Sequence, residues 1–475
     1  MNLKLIQDVL TKNFPHEPTP GQENLIQKFA HYLLNETPNK VFVLKGYAGT
    51  GKTSIVRSLV KSLPVLKMRT VLMAPTGRAA KVLHHYSGNQ AHTIHRKIYF
   101  HSTNNNGVLV SKLRENKHQN TLFIVDEASM IPAHSNSNPE NFFEKQDLLS
   151  DLITYVYSSQ NCHLLLIGDT AQLPPIGLSI SPALDLHELE QFFNLRVHSI
   201  ELTEVVRQEH DSGILKNATS IRNQIRNVQI KTPFFQLVGF TDIVSISGEN
   251  LEDALHDAYE KHGEENVVII TRSNKRANIF NQEIRNRILF REGTIQSGDL
   301  MMVVKNNYHW LSEEGEAGFI ANGDIIEIQS VNAYKSIFGF EFAEVSIRML
   351  DYPNEPTIDL TLLLDTIMSE SPALNRDQSN LLFQNIMDDY TNLKTRAAQI
   401  KAVKENPFFN ALQVKFANAM TCHKTQGGQW EVVFVEHGYL TPEMINTEFG
   451  RWLYTALTRA TQKLYLLNFK PDFFN

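Results

Sequence analysis

Apolar residues in this chain fall into short continuous runs, separated by stretches where they recur every three or four positions. Val41-Phe42-Val43-Leu44 is one such run, and the segment after it sets Ile55, Val56, Leu59, Val60 and Leu63 on one helical face. Runs at 71–74, 122–125, 164–167 and 200–202 predict further strands. Continuous apolar strands interleaved with amphipathic helices imply a parallel sheet covered on both faces. The pattern returns at 267–270, continues through a helix over 273–289, and closes with strands at 432–435 and 464–467. Between 291 and 364 the texture changes to strand-like runs at 301–304, 325–328, 342–350 and 358–364, divided by Gly- and Asn-bearing turns with no helix between them. That spacing predicts a small β-barrel inserted into a second α/β domain. Residues 376–405 read as helical, and residues 1–14 as a short amphipathic helix with Lys4, Asp8 and Lys12 among its apolar positions. Residues 98–101 and 108–110 are β-prone and flank Asn104-Asn105-Asn106-Gly107, which supplies the residues a hairpin turn needs. Residues 135–144 form a polar loop containing Pro139.

Composition narrows the class. A length of 475 residues suggests about three domains, and 42% hydrophobic with 20% charged residues permits ordinary cores throughout. No apolar run is long enough to span a bilayer, so no membrane partner is expected. The two cysteines, Cys162 and Cys422, form neither a disulfide framework nor a zinc-type cluster, and a reducing cytoplasm is expected. A net charge of -6 argues against nonspecific coating of nucleic acid, and leaves open a motor gripping one strand in a local basic groove.

The chemistry begins at the first apolar run. Gly46-Tyr47-Ala48-Gly49-Thr50-Gly51-Lys52-Thr53 fits G-x-x-x-x-G-K-[ST] between a predicted strand and a predicted helix. Glycines let backbone N–H groups wrap phosphates, and the helix N-terminus adds positive potential. Gly46, Ala48, Gly49, Thr50, Gly51, Lys52, Thr53 and Ser54 are therefore the expected ATP-binding positions, with Lys52 on the β- and γ-phosphates and Thr53 on Mg²⁺. Asp126-Glu127 ends a predicted strand, at the sheet edge where α/β proteins bind ligands. Asp126 suits Mg²⁺ and Glu127 an attacking water. Gln172, in Gly168-Asp169-Thr170-Ala171-Gln172-Leu173-Pro174-Pro175, could sense the γ-phosphate, although a proline-rich turn also accounts for that segment. Arg207 and Arg459 are candidates to neutralise charge on the transferred phosphoryl group; a surface residue or structural ion pair is the plain alternative for either. Gln22 has two readings. Thr19-Pro20-Gly21-Gln22 is a capping box with proline at the first helical position, complete without any ligand; the other, an amide on an adenine edge, is only what the resemblance described next implies.

The ordered set GYAGTGKT, APTGRAA, TIH, VDEAS, GDTAQLPP, EVVRQ, MTCHKTQGGQ and YTALTRA resembles the superfamily 1 helicases of the RecD/Dda-like 5′-to-3′ branch. The motifs run from Gln22 to Ala460, nearly the whole chain. The resemblance implies two RecA-like parallel-sheet P-loop domains with ATP between them, a β-hairpin pin in the first and an SH3-like barrel in the second. The expected division is 1–97 with 118–205, a pin at 98–117, 206–290 with 406–475, and a barrel with helical return at 291–405. By resemblance Lys52, Glu127, Gln172, Arg207 and Arg459 are catalytic, Gln22 joins the ATP site, and Thr53 with Asp126 holds Mg²⁺. Pro75, Thr76, Arg78, Thr93, His95, Arg272, Asn274, His423, Lys424 and Thr425 correspond to contacts along single-stranded DNA. Arg272 and Asn274 could instead cap the helix that follows. Gln429 stands where the family motif often has glutamate.

These readings predict a monomeric ATP-dependent DNA helicase acting on single-stranded DNA and duplex junctions. One alternative is a P-loop ATPase of another class, which would have no reason to carry HKTQGG and YTALTRA; another is a helicase that also acts on RNA–DNA hybrid. No nuclease carboxylate cluster is apparent.

Overall fold

The computed structural model describes residues 2–103, 109–132, 147–205, 211–228, 230–311, 315 and 317–474, with the side chains of 101–103 and 109–111 left aside. The hairpin tip 104–107, the polar loop 135–144 and Arg207 lie outside the described residues.

The apolar runs pair as their pattern requires. Six parallel strands, in the order Ala91–Thr93, Arg69–Ala74, Thr121–Val125, Cys162–Gly168, Lys40–Gly46 and Arg196–Leu202, make the first sheet. Every residue of Thr121–Val125 and Cys162–Gly168 is buried. One face of this sheet packs under Ile55, Val56, Leu59 and Leu83, and the other under Leu149, Leu152 and Val156. The N-terminal helix Leu3–Lys12 adds Ile6 and Leu10 to the first of these cores and is tied to the P-loop helix, Lys52–Ser62, by Ser58 Oγ donating to the Leu10 carbonyl at 2.7 Å.

Five parallel strands make the second sheet, in the order Ala419–Thr421, Val267–Thr271, Trp430–Glu436, Ala460–Leu467 and Ile243–Ile246. The helix after Val267–Thr271 is α-helical over Asn274–Glu283 and widens to a π-turn over Ile284–Ile288. There the buried Arg285 reaches Asp299 through Nε–Oδ1 (2.9 Å) and Nη2–Oδ2 (3.0 Å), fastening the barrel to this domain. A fully buried guanidinium needs such a bidentate partner.

The barrel is closed by Leu300–Val303, Ile325–Ile337, Phe340–Met349, Ile358–Leu363 and Leu412–Phe416. Its second strand runs nine residues past the expected end at 328, because Gln329–Ile337 pairs with the next strand while facing solvent and so carries no apolar run to be read. The closing strand Leu412–Phe416 comes after the helical return formed by Arg376–Asp388 and Arg396–Glu405, beyond the expected limit of 405. In the first domain Tyr99–Thr103 and Leu109–Leu113 pair antiparallel, from Tyr99 opposite Leu113 to Thr103 opposite Leu109, as the hairpin reading requires.

Candidate active site

In the first sheet all strands are parallel, so the P-loop, Asp126-Glu127 and Asp169 emerge at one edge. Gly49 (φ 76°) and Gly51 (φ 83°) take the left-handed conformation that turns the loop back over the strand end. A Cβ on Gly46 would lie 3.0 Å from both Thr50 Oγ1 and Lys52 Cγ, so any side chain here would press on the two residues that close the loop. Lys52 Nζ rests on the carbonyls of Gly46 (2.6 Å) and Tyr47 (2.9 Å), and Thr53 stands exposed in the first helical turn.

Asp126 is held at both oxygens. Oδ1 accepts from the Glu127 N–H at 2.9 Å and Oδ2 from the Tyr86 hydroxyl at 2.5 Å. Glu127 has φ 53°, unusual for a residue with a side chain and costly enough to be kept where surroundings enforce it. Burial raises its carboxyl pKa above the usual glutamate value; the Arg459 guanidinium opposes that rise, Asp126 adds to it and Lys52 opposes it. Among the charges acting on Glu127, that of Arg459, from the second domain, is the strongest.

The second domain delivers Arg459 in a fixed pose. It is buried, with Nε donating to the Thr455 carbonyl (3.1 Å), Nη1 to the Gly428 carbonyl (3.1 Å) and Nη2 to Thr458 Oγ1 (3.3 Å). The helix before it, Thr447–Leu457, contributes two bridges to the first domain. The Tyr454 hydroxyl accepts from the Ala48 N–H in the P-loop (2.8 Å) and donates to Asp169 Oδ2 (2.7 Å). Thr455 Oγ1 accepts from the Leu173 N–H (2.8 Å), while Gln426 Nε2 donates to the Leu173 carbonyl (2.6 Å). Leu173 is clasped from both sides, which fixes its neighbour Gln172. Gln172 is buried and its Oε1 has no hydrogen-bond partner among the described residues. A lysine, two acidic side chains, a fixed arginine and an orphaned amide oxygen around a Gly-floored loop form a donor set that fits a nucleotide triphosphate with a divalent cation.

Gln22 realises its capping reading in full. Its Oε1 accepts from the Thr19 N–H (3.0 Å), and its Nε2 donates to the P-loop carbonyl of Thr50 (3.1 Å). The carboxamide is fully buried and bonded at both ends, so it braces the P-loop.

The positions matched to single-strand contacts fall on both halves of the chain, and Arg78 links the two. Thr76 caps helix Gly77–Ser87 by accepting from the Ala79 N–H, next to the half-buried Pro75. Arg78 donates to the Gln429 carbonyl (3.3 Å) and lies over the Trp430 ring, 4.2 Å from its centroid. Thr93 caps helix Ile94–Ile98, and the His95 ring lies 5.8 Å from that of Tyr99. Arg272 donates to the Tyr439 carbonyl (3.0 Å) over the Phe449 and Trp452 rings, and Asn274 donates to the Glu370 carbonyl (2.8 Å). Ser273, not Arg272 or Asn274, caps the helix that follows. His423 is exposed, whereas Thr425 is fully buried with its hydroxyl donating to the Cys422 carbonyl (2.8 Å), which makes it a turn-closing residue. Lys424 Nζ is buried with no hydrogen-bond partner among the described residues, and burial, with Lys415 adding, pushes its pKa down to about 7. Tyr86, Asp169, Tyr454 and Thr455 were not singled out from the sequence, because each does its work through a partner distant in the chain.

Two family models match this chain: an AAA domain over residues 18–232 and a UvrD-like helicase C-terminal domain over residues 416–467. The ATP-dependent DNA helicase dda of Enterobacteria phage T4 is 25% identical over 88% of this chain and 92% of its own length. The ATP-dependent RecD2 DNA helicase of Deinococcus radiodurans is 28% identical over 42% of this chain, which spans 24% of that protein. Among solved structures, a Pif1 helicase from Bacteroides in complex with ADP-AlF3 and ssDNA aligns with a TM-score of 0.47 at 16% identity, covering 94% of this chain and 93% of its own.

Proposed function

We propose that this chain, which belongs to the superfamily 1 helicases of the RecD/Dda-like branch, is an ATP-dependent DNA helicase that moves 5′-to-3′ along single-stranded DNA and separates duplex ahead of it. The observation that carries the reading is the bridge between the two RecA-like domains at the P-loop: the Tyr454 hydroxyl, five residues before Arg459, bonds both the Ala48 N–H and Asp169 of the other domain. A catalytic centre divided in this way is complete only while the domains are apposed, so hydrolysis and domain movement are obligatorily linked.

In the hydrolytic step Lys52 holds the β- and γ-phosphates, and Glu127 orients the attacking water and takes its proton. Burial raises its pKa, which makes it a stronger base for that proton than an exposed carboxylate. Arg459 meets the charge that develops on the transferred group, and Gln172 is read as the sensor of the γ-phosphate. Thr53 and Asp126 are the residues that would hold Mg²⁺, whose contribution is to neutralise charge on the phosphate oxygens. Arg207 is proposed as a second cation for the same group. Pro75, Thr76, Arg78, Thr93, His95, Arg272, Asn274, His423 and Lys424 grip the sugar-phosphate backbone without reading sequence. The hairpin Tyr99–Thr103 with Leu109–Leu113 blocks the excluded strand. The motor is read as a monomer, and its two free, buried thiols fit a reducing cytoplasm.

The test is ATPase activity with and without single-stranded DNA, followed by strand displacement on duplexes tailed at 5′ or 3′. Stimulation by DNA and displacement of the 5′-tailed duplex alone are expected. ATPase indifferent to DNA would reduce the chain to a P-loop ATPase, and displacement of only the 3′-tailed duplex would reverse the polarity.

A further inference from the structure

Helix Gly77–Ser87 is held at both ends by groups that matter to the motor. At its start Thr76 and Arg78 lie among the proposed strand contacts, and Arg78 is fastened to the second domain through Gln429 and Trp430. One turn on, Lys81 Nζ donates to Asp351 Oδ1 (3.0 Å) and the Leu350 carbonyl (2.9 Å) in the barrel. At its far end the Tyr86 carbonyl accepts from Arg57 Nε (2.7 Å) on the P-loop helix, and the Tyr86 hydroxyl donates to Asp126 Oδ2 (2.5 Å). With the Glu127 N–H on Oδ1, this hydroxyl fixes the plane of the Asp126 carboxylate.

We propose that Tyr86 is a positioning residue for the divalent cation: its hydroxyl orients the Asp126 carboxylate, and through its helix it ties that orientation to the strand-gripping segment and the second domain. The inference rests on the reading of Asp126 as the metal-holding carboxylate. A carboxylate pinned at both oxygens presents its remaining lone pairs in fixed directions, so a cation need not pay to order it. Groups that orient a ligand in this way are worth about tenfold to a hundredfold in metal affinity. Tyr86→Phe removes one O–H and leaves the ring, so it isolates the hydrogen bond from the packing.

The test is Mn²⁺ binding followed by electron paramagnetic resonance, using the full chain with a non-hydrolysable ATP analogue, with and without a single-stranded oligonucleotide. For Tyr86→Phe the Mn²⁺ dissociation constant should rise about tenfold, the melting temperature should stay that of the unaltered protein, and excess Mg²⁺ should restore ATP turnover. DNA should tighten Mn²⁺ binding in the unaltered protein and leave it unmoved in the variant. Asp126→Asn serves as the reference. Unchanged Mn²⁺ affinity in Tyr86→Phe, with affinity lost in Asp126→Asn, would overturn the role of Tyr86 alone. Unchanged affinity in Asp126→Asn would overturn the metal reading of the carboxylate, and this inference with it. A melting temperature that falls in Tyr86→Phe with turnover that excess Mg²⁺ cannot restore would make Tyr86 a packing residue.

Discussion

The two RecA-like sheets meet the cleft by opposite edges. The first presents the C-terminal ends of its strands: the P-loop after Lys40–Gly46, Asp126-Glu127 after Thr121–Val125, and Asp169 after Cys162–Gly168. The second presents the N-terminal ends: Arg459 immediately before Ala460–Leu467, and Gly428 just before Trp430–Glu436. The two second-sheet strands are locked at that edge by Trp430 N–H on the Arg459 carbonyl (3.0 Å) and Arg459 Nη1 on the Gly428 carbonyl (3.1 Å). The first edge therefore supplies backbone N–H groups, a lysine and carboxylates, and the second supplies an arginine held by three hydrogen bonds, with two of its five N–H donors left over. On the proposed reading neither edge is a hydrolytic site alone: substrate binding belongs to one domain and charge neutralisation to the contact between two.

That comparison breaks most sharply at its binding side. Lys52→Ala removes the point charge on the β- and γ-phosphates, and ATP turnover should fall to background in a coupled phosphate-release assay. Glu127→Gln should keep nucleotide binding and stop hydrolysis. Arg459→Ala tests the other edge. Binding of a fluorescent ATP analogue should stay largely intact while turnover falls by about 10³-fold or more. Loss of nucleotide binding in Arg459→Ala, with turnover per bound nucleotide unchanged, would place that arginine on the binding side and erase the distinction.

A second cation of the same domain is built in the opposite way. Arg459 is bonded at all three nitrogens, whereas the Lys424 ammonium is buried without a partner among the described residues and held down to about 7, against an ordinary 10.5. Its folded-state pKa is depressed, so between pH 7 and 10.5 the unfolded chain binds a proton that the folded chain lacks, and this residue's contribution to stability rises with pH across that window. A DNA phosphate beside Lys424 would reward the charged form. Affinity for single-stranded DNA should then fall above pH 7, by up to about tenfold per pH unit if one proton is taken up. Fluorescence anisotropy at constant ionic strength from pH 6.5 to 9 measures this. Lys424→Arg, whose guanidinium stays charged, should flatten the profile. A flat profile in the unaltered protein would remove Lys424 from the DNA contacts.

The legible and illegible parts divide along these same edges. A strand-ending run such as Leu122 to Val125 announces Asp126 and Glu127, since an apolar run fixes where the sheet ends and polar residues there face ligand. The P-loop was readable for the same reason. Arg459 sits before a strand rather than after one, and only its motif identified it. Tyr454 and Thr455 look like ordinary members of an apolar helix. Their hydroxyls gain meaning from Ala48, Asp169 and Leu173, which lie more than 280 positions earlier in the chain. The barrel's closing strand Leu412–Phe416 was hidden likewise, because its partners Leu300–Val303 and Ile358–Leu363 lie on the other side of the helical return.

The smallest expected effect tests whether the contact itself carries information between the sheets. The Tyr454 hydroxyl is bonded at once to the P-loop, through Ala48 N–H, and to the strand end at Asp169, and it stands five residues before Arg459. Tyr454→Phe keeps the ring in its buried site and removes both bonds. A net hydrogen bond is worth about 0.5–1.5 kcal/mol, and one to a charged acceptor such as Asp169 somewhat more. The loss acts on the closed arrangement of the domains and not on nucleotide contacts. Turnover should therefore fall by roughly tenfold in kcat with KM for ATP nearly unchanged, since the P-loop still binds while Arg459 is presented less often. Single-stranded DNA should recover part of the loss by favouring the apposed domains. If Tyr454→Phe instead raised KM and left kcat alone, the hydroxyl would be shaping the P-loop, and the division between a binding edge and a neutralising edge would have to be redrawn at Ala48.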